Sequence, residues 1–252
     1  MAHNLRPGLH VTKGTGYRNP KGFQPRFKDS QKLQSLIRSI ERLDQDLGHY
    51  EATSEARERL LRVSLARNAF GTASLEGNPL TLQDVESLLA ANPQGKIEPD
   101  EREILNWRSY MEQLDVVGWP ATVDTVNALH KRLFAGVMRD AGRLKAQQNY
   151  VGSDDGEVIF IPSPPDSTPA ELAALLAWTL KAPLHPLIRA SIFFHEFQGI
   201  HPYRDGNGRL GRALFTCFLH AENYRGIRYA PVDYAFNADR KPYYEGLAEV
   251  EH

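Results

Sequence analysis

Beyond about residue 30, apolar residues recur at helical spacing along almost the whole of this 252-residue chain, with one long insertion breaking the pattern. Leu33, Ile37, Ile40, Leu43 and Leu47 make one stripe ending at Gly48, and Leu60, Leu61, Val63 and Leu65 continue in a second from about Ser54 to Phe70 and beyond. Ile104, Trp107, Met111 and Leu114 give another; so do Val123, Val126, Leu129 and Leu133, and then Leu172, Leu175, Leu176 and Leu180. Ile192, Phe193, Phe194 and Phe197 are dense enough for a central core helix. Starts and stops fit: Thr81 with Asp84 reads as a capped N-terminus, and Thr168-Pro169-Ala170-Glu171 as a capping box. Only Gly142 to Pro165 differs. There Tyr150-Val151 and Val158-Ile159-Phe160-Ile161 flank the polar run Gly152 to Gly156, which reads as a β-hairpin. The expected fold is a mostly α, compact helical bundle carrying one hairpin. Residues 1–30 read as an irregular arm, 31–117 as a first set of helices and 118–252 as the rest.

Chemistry concentrates in His201-Pro202-Tyr203-Arg204-Asp205-Gly206-Asn207-Gly208-Arg209-Leu210-Gly211-Arg212. Gly206-Asn207-Gly208 can bend the backbone into an anion nest, and the helix that follows adds its positive end to the same spot. Arg209 and Arg212, three apart, share a face on which two guanidinium forks can grip a polyphosphate. Asp205 is placed to hold Mg²⁺ (or Mn²⁺), which takes a carboxylate plus phosphate oxygens. His201 is the side chain able to accept a proton near neutral pH. A base, a phosphate cradle and a metal ligand equip a site for phosphoryl or nucleotidyl transfer.

These twelve residues resemble the signature of the Fic family, His-x-Phe-x-Asp/Glu-Gly-Asn-Gly-Arg-x-x-Arg, with Tyr203 as the one departure. The resemblance covers roughly residues 60 to 250 and implies a helical domain at 118–252 that transfers AMP from ATP to a hydroxyl side chain of a target protein, itself included. It implies that His201 deprotonates the target hydroxyl and that Asp205 holds the metal. Gly206, Asn207 and Gly208 then cradle the phosphates, with Arg209 and Arg212 as the clamp. The hairpin, about 143–163, becomes a flap whose Tyr150, Val151, Val158, Ile159 and Phe160 dock the target by strand pairing. The family often has Arg where Lys145 aligns. Tyr243 and Tyr244 are candidates for an adenine pocket, with packing of the last helix an equal alternative.

Upstream, Thr72-Ala73-Ser74-Leu75-Glu76-Gly77 matches the family's inhibitory helix, Ser/Thr-x-x-x-Glu-Gly/Asn, placing that helix at about 54–77. By residue type alone Glu76 is a carboxylate at a helix C-terminus, the end the helix dipole disfavours. The resemblance implies that it pairs with Arg212, takes the place of the outermost phosphate and leaves ATP misaligned.

Composition sets outer limits. A hydrophobic share of 41%, a charged share of 24% and a net charge of −1 give no basic field for nucleic acid or an anionic membrane. No apolar run reaches membrane-spanning length and no secretion signal leads the chain, so a cytoplasmic protein is expected. Cys217 is the one cysteine and falls among apolar residues. His195 and His201 do not make a zinc pair, because Gly199 and Pro202 break the register. The expected partners are ATP, a hydroxyl-bearing protein and, as an open alternative, a second copy of the chain. Rival functions are removal of AMP, transfer of another nucleotide or phosphate-containing group, and nucleotide sensing by a regulator with a DNA-binding domain beyond residue 252.

Overall fold

The computed structural model describes residues 12–13, 25 and 27–248, apart from 50–52, 92, 94 and 153–157. Eleven α-helices are present among them: α1 (Gln31–His49), α2 (Ser54–Leu75), α3 (Leu82–Ala91), α4 (Pro99–Glu112), α5 (Leu114–Val117), α6 (Val123–Leu133), α7 (Thr168–Lys181), α8 (Pro186–Ile200), α9 (Asn207–Ala221), α10 (Val232–Ala238) and α11 (Arg240–Ala248). A short 3₁₀ turn, Arg225–Arg228, follows α9.

One buried cluster joins the early helices to the late ones. Ala69 and Ala73 of α2 and Ile104, Trp107 and Tyr110 of α4 lie in it with Leu172 and Leu175 of α7, Phe193 and Phe197 of α8, and Leu210 and Leu214 of α9. Trp119 sits edge-on to Phe193 and Phe218, ring centroids 4.9 and 5.0 Å away, and ties in a satellite cluster around Ile227. Cys217 is buried and donates to the Gly118 carbonyl. None of the described helices is long and apolar enough to cross a membrane.

The hairpin pairs β2 (Val151–Gly152) antiparallel with β3 (Val158–Ile161), Val151 opposite Phe160. Its expected polar tip, 153–156, lies outside the described residues. The N-terminal arm departs from expectation: Thr12–Lys13 forms a strand, β1, parallel to β3, with Thr12 opposite Phe160 and Lys13 opposite Ile161. The sheet order is β1-β3-β2, so within the sheet β3 is paired on both sides and β2 is an edge. The expected capping box of α7 is also corrected. Ser167 is the N-cap but its hydroxyl donates to Pro164 O instead of capping the helix, Thr168 Oγ1 donates to Pro164 O as well, and Glu171 is buried instead of reaching back. The box at Thr81 does form: Asp84 N donates to Thr81 Oγ1 and Thr81 N to Asp84 Oδ2.

Candidate active site

The site is built where α8 ends and α9 begins. His201, the C-cap of α8, sits in the left-handed region at φ 49° and ψ 60°. For a non-glycine residue that conformation costs roughly 1–2 kcal/mol and persists only where neighbours hold it. Its Nδ1 lies 3.2 Å from the Gln198 carbonyl. A carbonyl can only accept, so Nδ1 carries the hydrogen and Nε2 keeps the lone pair. Burial holds the imidazole down to about 4, a neutral base at physiological pH.

Gly206 caps α9 at φ 80°, and a Cβ there would strike the Phe134 ring at 2.6 Å, so both backbone and space require glycine. Asn207 pins the loop from within: its Oδ1 accepts from Tyr203 N at 2.8 Å and its Nδ2 donates to Tyr203 O at 2.8 Å. Tyr203 is fully buried and spends its extra hydroxyl on Asn127 Oδ1 at 2.7 Å. Asp205 Oδ1 accepts from Gly206 N and from Arg209 Nη2, and its side chain is 64% exposed. Among the described residues no group of three or more His, Cys, Asp or Glu could hold a metal. A divalent cation would therefore need Asp205 together with ligand oxygens, a donor set suited to Mg²⁺ on a polyphosphate.

The two arginines diverge. Arg209 donates to Glu103 Oε1 at 2.8 Å and Asp205 Oδ1 at 3.0 Å, and its guanidinium lies 4.9 Å from the centre of the Phe134 ring. Arg212, 2% exposed, turns the other way. It donates to Thr72 Oγ1, Thr72 O and Glu76 Oε1 at 3.0, 3.0 and 2.9 Å, and to the Tyr243 hydroxyl at 2.9 Å.

Glu76 arrives there by local geometry. Asn78 N donates to Ala73 O and Gly77 N to Ser74 O, the paired bonds of a Schellman turn, with Gly77 at φ 88°. The turn projects Glu76, the C-cap of α2, onto the start of α9. A Cβ on Gly208 would overlap Glu76 Oε1, so the carboxylate lies against the first turn of that helix. A carboxylate at a helix N-terminus occupies the place an anionic ligand would take.

Several contributors escaped the sequence reading. Glu103 binds Arg209 and also accepts from Asn78 Nδ2 at 3.0 Å, which links the end of α2 to both arginines. Asp233 of α10 is buried 3.6 Å from Arg212 Nε, its pKa raised to about 6 by burial despite Arg212. His130 of α6 is buried: its Nδ1 accepts from Gly142 N, so Nε2 donates to Asp205 O at 3.1 Å. Tyr243 faces Arg212 and stacks on Phe236 with ring centroids 4.8 Å apart, while half-exposed Tyr244 donates to Leu75 O. Tyr150 is exposed at the root of the hairpin, and Phe160 and Val151 are half-buried. The side chains of Val158 and Ile159 lie outside the described residues.

A neutral histidine, a glycine-rich helix N-terminus and a buried arginine held by a carboxylate meet in one site of a helical protein, a set of groups chemically suited to a polyphosphate. Residues 120–219 match the model of the Fic/DOC family. A protein adenylyltransferase Fic of Nematostella vectensis is 25% identical over 229 residues, 87% of this chain and 51% of that protein. The chain thus spans about half the length of that curated relative. A Fic family protein from Desulfovibrio desulfuricans superposes with a TM-score of 0.76 at 27% identity, over 90% of this chain and 68% of that one. A Fic domain containing signaling protein from Bacteroides thetaiotaomicron shares the fold, with a TM-score of 0.64 at 22% identity, covering 84% of this chain and 92% of the other.

Proposed function

We propose that this chain is an autoinhibited protein adenylyltransferase, moving AMP from ATP to a Ser, Thr or Tyr hydroxyl of a protein, itself included. The observation that carries the reading is the Glu76 carboxylate held by Arg212 against the start of α9. An internal anion there marks where a phosphate would sit and keeps it out. An Arg–carboxylate fork in a desolvated site competes directly with an Arg–phosphate fork.

Once Glu76 leaves, Arg212 becomes available to the outer phosphates. Asp205 would hold Mg²⁺, which offsets phosphate charge when bound. His201 takes the proton of the attacking hydroxyl on Nε2, the nitrogen its bond to Gln198 leaves with a lone pair. The new bond forms between that oxygen and the α-phosphorus, and the bond to the bridging oxygen of pyrophosphate breaks. Positioning and electrostatics supply the rate, with no covalent enzyme intermediate. A target segment would lie along the hairpin, whose β2 is an edge of the sheet.

The test is label transfer from α-labelled ATP with Mg²⁺ to the chain itself and to added lysate, comparing wild type, Glu76→Gly, and Glu76→Gly with His201→Ala. Strong labelling in Glu76→Gly alone is expected. No labelling in any variant, with ATP still bound by Glu76→Gly, rejects AMP as the transferred group.

A further inference from the structure

We infer that Lys145 and Asn149, at the root of the hairpin, are positioning residues that hold His201 in its left-handed conformation by capturing the carbonyls around it. This rests on the transferase reading above for the identity of the reaction.

The run Ile200 to Tyr203 turns sharply, so its carbonyls lose the partners a helix or sheet would provide. Two residues reach all four, with Asn207 Nδ2 sharing Tyr203 O. Lys145 Nζ donates to Ile200 O at 2.8 Å, and Lys145 N donates to Pro202 O at 2.9 Å. Asn149 Nδ2 donates to His201 O at 3.2 Å and to Tyr203 O at 2.9 Å. The pair is itself joined, Lys145 Nζ to Asn149 Oδ1 at 2.9 Å. Leu144 bridges Tyr203 across the same seam, and at the far root of the hairpin Ser163 N donates to Gly199 O at 3.3 Å. The base is therefore laced to the two ends of the segment proposed to dock the target.

The chemistry of the lysine supports a positioning role over simple filling of space. Its side chain is 6% exposed, and an ammonium is costly to bury unless every donor it keeps has an acceptor. Apolar packing would be served by Leu or Met at lower cost. Here the charge caps the C-terminus of α8, the end a cation favours, one residue before His201. Burial lowers the pKa of the ammonium, and Glu171 of α7 acts in the opposite direction. Removing the ammonium frees Ile200 O and loosens Asn149 together, so His201 loses the restraint on both sides of its Cα. A shift of about 1 Å in a reacting group is enough for a 100-fold loss of rate.

The experiment uses Lys145→Met, Lys145→Arg and Asn149→Ala, each in the Glu76→Gly background, with three readouts. These are kcat and KM for ATP in self-labelling, melting temperature, and hydrogen exchange of amides in the peptides covering 199–206. The expected result is a fall in kcat of about 100-fold for Lys145→Met, with KM for ATP changed less than about twofold. Exchange at 199–206 rises about tenfold in Lys145→Met and Asn149→Ala, and Lys145→Arg recovers most of both losses. Asn149→Ala removes only a half-buried amide and keeps the test alive if Lys145→Met does not fold. Unchanged kcat in the folded variants overturns the inference, as does unchanged exchange at 199–206. If Glu76→Gly transfers no label, the transferase reading fails by itself, and exchange alone decides whether the two residues hold the loop.

Discussion

Arg212 Nη2 donates to Glu76 Oε1 over 2.9 Å, joining a guanidinium 2% exposed to a carboxylate 28% exposed at the C-cap of α2. A C-cap carboxylate is disfavoured by its own helix, so this pairing offsets a local cost as well as placing the carboxylate against the start of α9. In Glu76→Gly, Arg212 keeps Thr72, Tyr243 and the neighbouring Asp233, so the fold survives. Loss of one hydrogen bond to a charged group costs about 1.5–3 kcal/mol. In a chain of 252 residues that lowers the melting temperature by roughly 3–10 °C. ATP with Mg²⁺ should raise the melting temperature of the variant more than that of wild type, because only the variant presents Arg212 to the phosphates. Equal ATP shifts in calorimetry would mean that the carboxylate does not compete with the nucleotide.

On the proposed mechanism, His201 sets the acid limb of catalysis. The ring works as a base when neutral, and burial holds it down to about 4. Activity of the Glu76→Gly variant should stay level from pH 8 to about 6 and fall only as the pH drops toward 4. A limb centred near the ordinary histidine value would show an open, solvated ring. The same shift has a stability consequence. The unfolded chain takes a proton at His201 first, so folding weakens as the pH falls below the usual 6.5 and this contribution levels off near 4. Asp233 has the opposite sign. Its folded pKa, about 6, lies above the unfolded 3.8, so protonation on the way down through that window favours the folded state.

Local features were the legible ones. The helices, the hairpin, the Gly206 and Gly77 turns and the Thr81–Asp84 cap depend on residues a few positions apart, which spacing reports directly. Glu171 shows where such rules stop: it stands three residues after Thr168, yet its side chain is buried. Glu103 reaches Arg209 across 106 positions and Thr72 reaches Arg212 across 140. Thr72 and Glu76 were legible only through family resemblance, and Glu103 and Asp233 had no pattern to carry them. The strand at Thr12–Lys13 was illegible for a related reason, since two residues have no periodicity and their pairing partner is Phe160–Ile161.

Glu103 should prove structural as well as local to the site. It accepts from Arg209 through Oε1 and from Asn78 through Oε2, with both partners of the Arg209 pair about one-tenth exposed. In Glu103→Gln the amide can satisfy only one of these two donors and places a third against the other. Arg209 is then left with Asp205, which is largely in water. The expected loss is about 2 kcal/mol, seen as a lower melting temperature. Glu98→Gln, at an exposed pair with Lys96, should change stability by under about 1 kcal/mol. Equal melting temperatures for the two variants would remove Glu103 from the account of how Arg209 is held.

Gly71 sets how closely α2 approaches α10. A Cβ there would overlap Tyr234 N and stand 2.5 Å from the carbonyl carbon of Asp233, both backbone atoms that cannot rotate away. In Gly71→Ala the helices must separate, which draws Asp233 from Arg212 and Thr72 away from its two bonds to the same guanidinium. The expected cost is about 1–3 kcal/mol for the overlap, despite the better helix propensity of alanine. Gly246, in α11, has nothing within 4 Å of the same hypothetical Cβ. Gly246→Ala should therefore raise the melting temperature slightly, by the propensity gain of about 1 kcal/mol or less. The opposite signs of two identical substitutions, read in thermal unfolding, isolate contact from propensity. A neutral Gly71→Ala would show that α10 can move without cost, and that the buried Asp233–Arg212 pair is not what keeps it against α2.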